Sequence, residues 1–207
     1  MNIILYGFKN SGKTTVAVGI AKKLGVKLID LDRLVEKLYF LKTNKKLNIR
    51  DIYEEVEEKK FRKLEKQAIS SLKKEDNLII ATGGGSVLDD ENVRRLKKNG
   101  KLVYLACSKE IIKERMFSLG IPAFIDKKNP QASFESMYTN RIKKYESIAD
   151  FLIDTENKSI NRLENEIIGI FYGKQFFWRC FSYYDFWRIS WHSSWGYCRW
   201  LPFWFVD

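Results

Sequence analysis

Along the first 171 residues the apolar positions take two alternating forms: short apolar runs, unbroken at 78–81 and 102–106, and longer stretches in which they recur every three or four residues. The runs predict strands covered on both faces, and the periodic stretches predict amphipathic helices. Strands are expected at residues 2–6, 26–30, 78–81, 102–106 and 151–154. Helices are expected at residues 14–24, 31–40, 90–99, 108–116, 134–148 and 159–171, with 48–74 forming two helices broken near Glu57. Ser108 reads as an N-cap and Gly100 as a helix stop. Residues 118–133 carry Gly120, Pro122 and Pro130 and few helix signals, so they predict a long loop. A loop of that length in a compact domain is usually functional. Strands alternating with helices call for an α/β fold, a doubly wound parallel five-stranded sheet flanked by helices, with ligands beyond the carboxyl ends of the strands.

The first run feeds directly into Gly7-Phe8-Lys9-Asn10-Ser11-Gly12-Lys13-Thr14, which fits G-x-x-x-x-G-K-[ST] and opens a helix. A strand, such a loop and a helix N-terminus aim several backbone N–H groups at one point, the geometry that cradles phosphates. Gly7 and Gly12 permit the tight turn. Lys13 places charge on the β- and γ-phosphates, and the Thr14 hydroxyl suits Mg²⁺. Asn10, Ser11, Gly12, Lys13, Thr14 and Thr15 are the candidate ATP-binding residues of this P-loop.

Two further clusters fall at strand ends. In Asp30-Leu31-Asp32, one carboxylate can hold Mg²⁺ through water while the other accepts a proton from a substrate hydroxyl. Read alone, Asp32 serves equally well as a helix cap. Gly83-Gly84-Gly85 admits a small ligand close to backbone, or is a mobile turn. Phe61-Arg62-Lys63-Leu64-Glu65 lies mid-helix and by itself is a charged face.

Composition narrows the chemistry. With 207 residues, 45% of them apolar, the chain suits one domain with a proper core. The net charge of +11 is spread over amphipathic helices opposite acidic residues, as in residues 51–66, so it does not call for nucleic acid. No leader precedes the first strand and no run reaches the length of a membrane span, which predicts a cytoplasmic protein. Cys107 is the only cysteine before residue 180, and the sole histidine is His192. Catalysis in residues 1–171 is therefore expected to use carboxylates, lysine, arginine, hydroxyls and an oxygen-bound metal.

Together these motifs resemble the shikimate kinase family: the P-loop, D-x-D after the second strand, F-R-x-x-E, G-G-G after the third strand, Arg141 with Tyr145, and Ile153-Asp154-Thr155. Their order holds through residue 170. The resemblance implies a P-loop kinase fold with a lid loop and ATP-dependent phosphorylation of the 3-hydroxyl of shikimate, in the route to chorismate and the aromatic amino acids. It implies that Asp32, Arg62, Gly84 and Arg141 contact shikimate, that Lys13 and Asp32 are catalytic, and that Thr14 and Asp30 serve Mg²⁺, Asp30 through water. It further implies that Arg115 packs near the adenine, that residues 117–133 form the lid, and that the protein works as a monomer on ATP and shikimate.

One position departs from the family pattern. The lid usually carries Arg-Pro, the arginine reaching the transferring phosphoryl group, and here the pair is Ile121-Pro122. Lys127, Lys128 and Arg115 are the candidates for the missing charge. Two rival readings stay open: another small-molecule kinase, acting on gluconate or a nucleoside monophosphate, and a nucleotide-binding module without catalysis.

From Tyr172 the composition changes. All six tryptophans and sixteen of the thirty aromatic residues fall in the last thirty-six positions, with no helical or strand period, so residues 172–207 are expected not to form a folded domain. Tryptophan has the single codon TGG, and reading one base later forces glycine at Trp178, Trp187, Trp191, Trp195, Trp200 and Trp204. The shifted frame permits a start at Tyr172-Gly173 and F-G-E-S-H-G across residues 186–191, which resembles the start of chorismate synthase. An out-of-frame overlap with a neighbouring gene of that kind is the expected origin of the tail.

Overall fold

The five apolar runs become strands β1 (Asn2–Tyr6), β2 (Lys27–Asp30), β3 (Leu78–Ala81), β4 (Gly100–Ala106) and β5 (Phe151–Asp154). They pair in parallel in the order β2-β3-β1-β4-β5. The helices are α1 (Lys13–Leu24), α2 (Leu31–Thr43), α3 (Ile49–Glu55), α4 (Glu58–Ser70), α5 (Asp90–Asn99), α6 (Lys109–Ser118), α7 (Pro130–Ile148) and α8 (Ile160–Tyr184). The computed structural model describes residues 1–184 except Lys73, Lys74, Leu119 and Ala123, and of residues 174–184 only the backbone. The chain divides into two compact units, Met1–Ile168 and Gly169–Asp207. In the second, the described backbone is helical to Tyr184 except at Gly173, whose φ of 37° and ψ of −129° break the helix. The helix expected to end at residue 171 instead runs to that break, and a second helical stretch follows to Tyr184, where the sequence shows no helical period. The expectations for the tail beyond Tyr184 lie outside the described residues.

The register decides what meets at the carboxyl edge. Asp30 pairs with Ala81, and Ala81 pairs with Leu5. The segments that follow β2, β3 and β1 therefore leave the sheet side by side, and these are the Asp30-Leu31-Asp32 turn, the triple glycine and the P-loop. Strands β1 and β3 are buried throughout, as their unbroken apolar runs require. Strand β4 begins at Gly100, two residues earlier than its apolar run, because Gly100 pairs with Asn2.

Apolar side chains fill both faces of the sheet: Ile3, Leu5, Val103 and Leu105 are buried on one with Val16 and Ile20 of α1, and two clusters lie elsewhere. The larger includes Ile4, Tyr6, Leu102 and Tyr104 from the sheet together with Phe134 and Tyr145 from α7. The smaller joins α2, α3 and α4 through Val35, Tyr39, Ile52, Phe61, Leu64 and Ala68.

Three further helix boundaries differ from the pattern by three residues or more. Helix α2 runs on to Thr43, where Asn44 ends it in the left-handed region at φ 56°. Helix α4 ends at Ser70 rather than near residue 74. Helix α7 starts at Pro130, not residue 134, because the Asn129 side chain accepts from the Ala132 N–H and proline suits the first helical position. The loop between α6 and α7 is accordingly shorter than expected.

Candidate functional site

The nucleotide half of the site is built by β1 and α1. Gly12 occupies the N-cap of α1 with φ 88°, and no side chain caps that end. Its first N–H groups are thus available to an anion. Asn10, also left-handed at φ 65°, donates from its side chain to the Arg115 carbonyl at 3.0 Å, anchoring the loop to α6. Lys13 is buried, and its ammonium donates to the Phe8 carbonyl at 2.6 Å. Burial lowers its pKa to about 8, opposed by the charges of Asp32 and Asp30.

The two aspartates divide their tasks in a way the sequence left open. Asp30, not Asp32, is the cap of α2: its Oδ1 accepts from the N–H groups of Asp32 at 2.9 Å and Arg33 at 3.4 Å. Its Oδ2 accepts from the Thr14 hydroxyl at 3.3 Å. Asp32 is left free of capping and turns into the cavity. Burial first, then the negative charge of Asp30, raises its pKa to about 6, although Lys13 pulls it down.

Across the cavity, α4 and α7 supply guanidinium groups. Arg62 donates to Glu65 Oε2 at 2.6 Å and to Glu58 Oε1 at 3.2 Å. Glu65 is itself buried and accepts from the Ser86 hydroxyl at 2.7 Å. Arg141 stands over the Phe124 ring, 5.2 Å from its centroid. One turn further along α7, Tyr145 is fully buried and its hydroxyl donates to the Gly84 carbonyl. Tyr6 in turn donates to the Tyr145 carbonyl at 2.6 Å, so α7 is pinned to β1 and to the triple glycine at once. The spacing of Arg141 and Tyr145 follows from this: the tyrosine fixes the helix that presents the arginine.

A single cavity of about 350 Å³ gathers these groups. Asn10, Gly12, Lys13, Thr14, Thr15, Asp32, Arg62, Gly84 and Arg141 all line it. Three expected residues do not. Asp30 stands behind Thr14. Ser11 is buried beneath the loop, its N–H bonded to the Phe8 carbonyl at 3.2 Å. The Arg115 side chain is exposed at the end of α6, and only its carbonyl meets the loop. Lys127 and Lys128 do not line the cavity either. Sequence reasoning missed Lys9, Arg50, Tyr53, Phe124 and Glu65, all of which line it. Only Glu65 carried a signal, through F-R-x-x-E.

The donor set fits Mg²⁺. Among the described residues no group of three or more His, Cys, Asp or Glu side chains forms a metal cage. Thr14 and Asp30 offer one hydroxyl and one carboxylate in contact, and Thr82, which lines the cavity, has a buried Oγ1 with no hydrogen-bond partner among the described residues. A cation that keeps several waters and takes further oxygens from substrate phosphates needs no more than this.

A parallel sheet feeding a P-loop, with a carboxylate and two arginines lining one cavity with its lysine, defines a small-molecule P-loop kinase. The family model for shikimate kinase matches residues 9–170. The shikimate kinase of Persephonella marina is 38% identical over 168 residues, which is 81% of this chain and 97% of that protein. That of Thermodesulfovibrio yellowstonii is 36% identical over 167 residues, 81% of this chain and 92% of the relative. Among solved structures, shikimate kinase from Acinetobacter baumannii in complex with shikimate superposes with a TM-score of 0.72 at 28% identity, covering 82% of this chain and 91% of that one. The chain belongs to the shikimate kinase family.

Proposed function

We propose that this chain transfers the γ-phosphoryl group of ATP to the 3-hydroxyl of shikimate. The observation that carries the reading is the juxtaposition of Lys13 and Asp32 in one cavity with Arg62 and Arg141 on its far wall. Lys13 and the N–H groups at the start of α1 hold the phosphates. The two guanidinium groups take the carboxylate of the acceptor, a planar anion that their forks suit. Asp32 orients the hydroxyl and receives its proton as the oxygen bonds to phosphorus and the bond to ADP breaks. Mg²⁺, held by Thr14 and through water by Asp30, would neutralise charge on the phosphates when bound.

Positioning and charge account for most of the rate in such a reaction. Phe124, Tyr53 and Phe61 give the cavity an aromatic wall. Among the described residues no helix is long and apolar enough to cross a membrane. The test is ADP release by the purified full chain with Mg²⁺ and shikimate, gluconate or a nucleoside monophosphate in turn. Release with shikimate alone supports the reading. Release with another acceptor assigns a different kinase, and ATP binding without transfer assigns a nucleotide-binding module.

A further inference from the structure

The cavity wall carries two cations that neither the phosphate grip nor the acid seat employs, Lys9 and Arg50. Lys9 belongs to the P-loop. Arg50 arrives from the opposite side, in the first turn of α3. That turn is fixed by Asn48, whose side-chain oxygen accepts from the N–H groups of Arg50 and Asp51, each at 3.0 Å. The Arg50 guanidinium donates from Nε to Glu54 at 3.2 Å and from Nη2 to the carbonyl of Ile121 at 3.4 Å. The segment holding Ile121 also carries Phe124, and Lys9 Nζ stands over that ring, 5.8 Å from its centroid.

Burial, followed by the charge of Arg50, holds the Lys9 ammonium below the ordinary lysine range, while Asp32 acts the other way. Lys9, Arg50 and Asp32 line the same cavity. Like charges placed together in a partly desolvated wall are stabilised by an anion between them. In the reaction inferred above, negative charge is greatest on the group passing between Lys13 and Asp32. Arg50 is bonded to the backbone of Ile121, the residue standing where the family pattern has an arginine, and so brings a guanidinium to a place where the side chain at position 121 has no charge.

We propose that Arg50, with Lys9 beside it, contacts the phosphoryl group in transfer and stabilises its charge. The proposal rests on the kinase reading, and the two fail separately. An inactive wild-type chain refutes both, whereas an active wild type unaffected by loss of Arg50 refutes this proposal alone. In the full chain, Arg50→Gln is expected to lower kcat with shikimate by about 100-fold while the KM for ATP changes by less than about threefold. Arg50→Lys is expected to recover part of the loss. Ile121→Arg added to Arg50→Gln is expected to restore kcat at least about tenfold, by supplying the fork from the other side. Unchanged kcat in Arg50→Gln, or a loss confined to KM, overturns the proposal. Should Arg50→Gln melt below the assay temperature, Arg50→Lys decides, since a folded Arg50→Lys chain with undiminished kcat also overturns it.

Discussion

Gly83 packs so closely against Asp32 that a Cβ built on it would lie 2.6 Å from the Asp32 Oδ1. The backbone of Asp32 is fixed in the first turn of α2, so its carboxylate has to give way to any larger residue. Gly83→Ala is therefore expected to lower kcat by about 10- to 100-fold, as misplacement of a reacting group does, with ATP affinity unchanged. Steady-state kinetics beside a calorimetric ATP titration separates the two.

The Arg62–Glu65 pair makes a second test. Glu65→Gln keeps the shape of a buried carboxylate that holds both Arg62 and Ser86 while removing its charge. The KM for shikimate is expected to rise about tenfold and stability to fall by about 1–3 kcal/mol. Thermal melts and acceptor titrations read the two effects.

Asp32 also predicts a pH dependence of stability. Its pKa is raised from 3.8 to about 6, so folding is favoured by its proton, and that contribution is complete below pH 3.8 and lost as pH rises through 6. In metal-free buffer at pH 7.5, Asp32→Asn is expected to be more stable than wild type by up to about 3 kcal/mol. The gap closes below about pH 4, as paired urea titrations at the two pH values would show.

Two buried tyrosines on neighbouring elements should behave oppositely. Tyr145→Phe leaves the Gly84 carbonyl without its donor and is expected to cost about 1–2 kcal/mol. It should also raise the KM for shikimate, because α7 presents Arg141. The Tyr104 hydroxyl is buried with no hydrogen-bond partner among the described residues, so Tyr104→Phe is expected to be neutral or stabilising by about 1 kcal/mol. Chemical denaturation of the pair checks both.

The sheet and the P-loop were legible because each depends on local signals: unbroken apolar runs, and glycines at fixed spacing around Lys13. The start of α7 was not, since Asn129-Pro130 serves a turn and a helix cap equally well until the Ala132 N–H is seen to bond. The roles of Asp30 and Asp32 could not be separated either, as two carboxylates two apart compete for the same N–H groups and only the fold shows which wins. Arg50 and Lys9 carry no sequence signal at all. An arginine on a short amphipathic helix looks like any solvated charge, and what makes Arg50 different is Ile121, seventy-one positions away.

The smaller apolar cluster of α2, α3 and α4, which meets the larger one through Leu34, has a consequence for descent and for engineering. Helices that carry their own packing can exchange side chains, or be swapped between relatives as a cassette, while the strand-and-loop machinery that grips the triphosphate stays as it is. Acceptor choice in such a chain can drift without loss of the energy source that drives it.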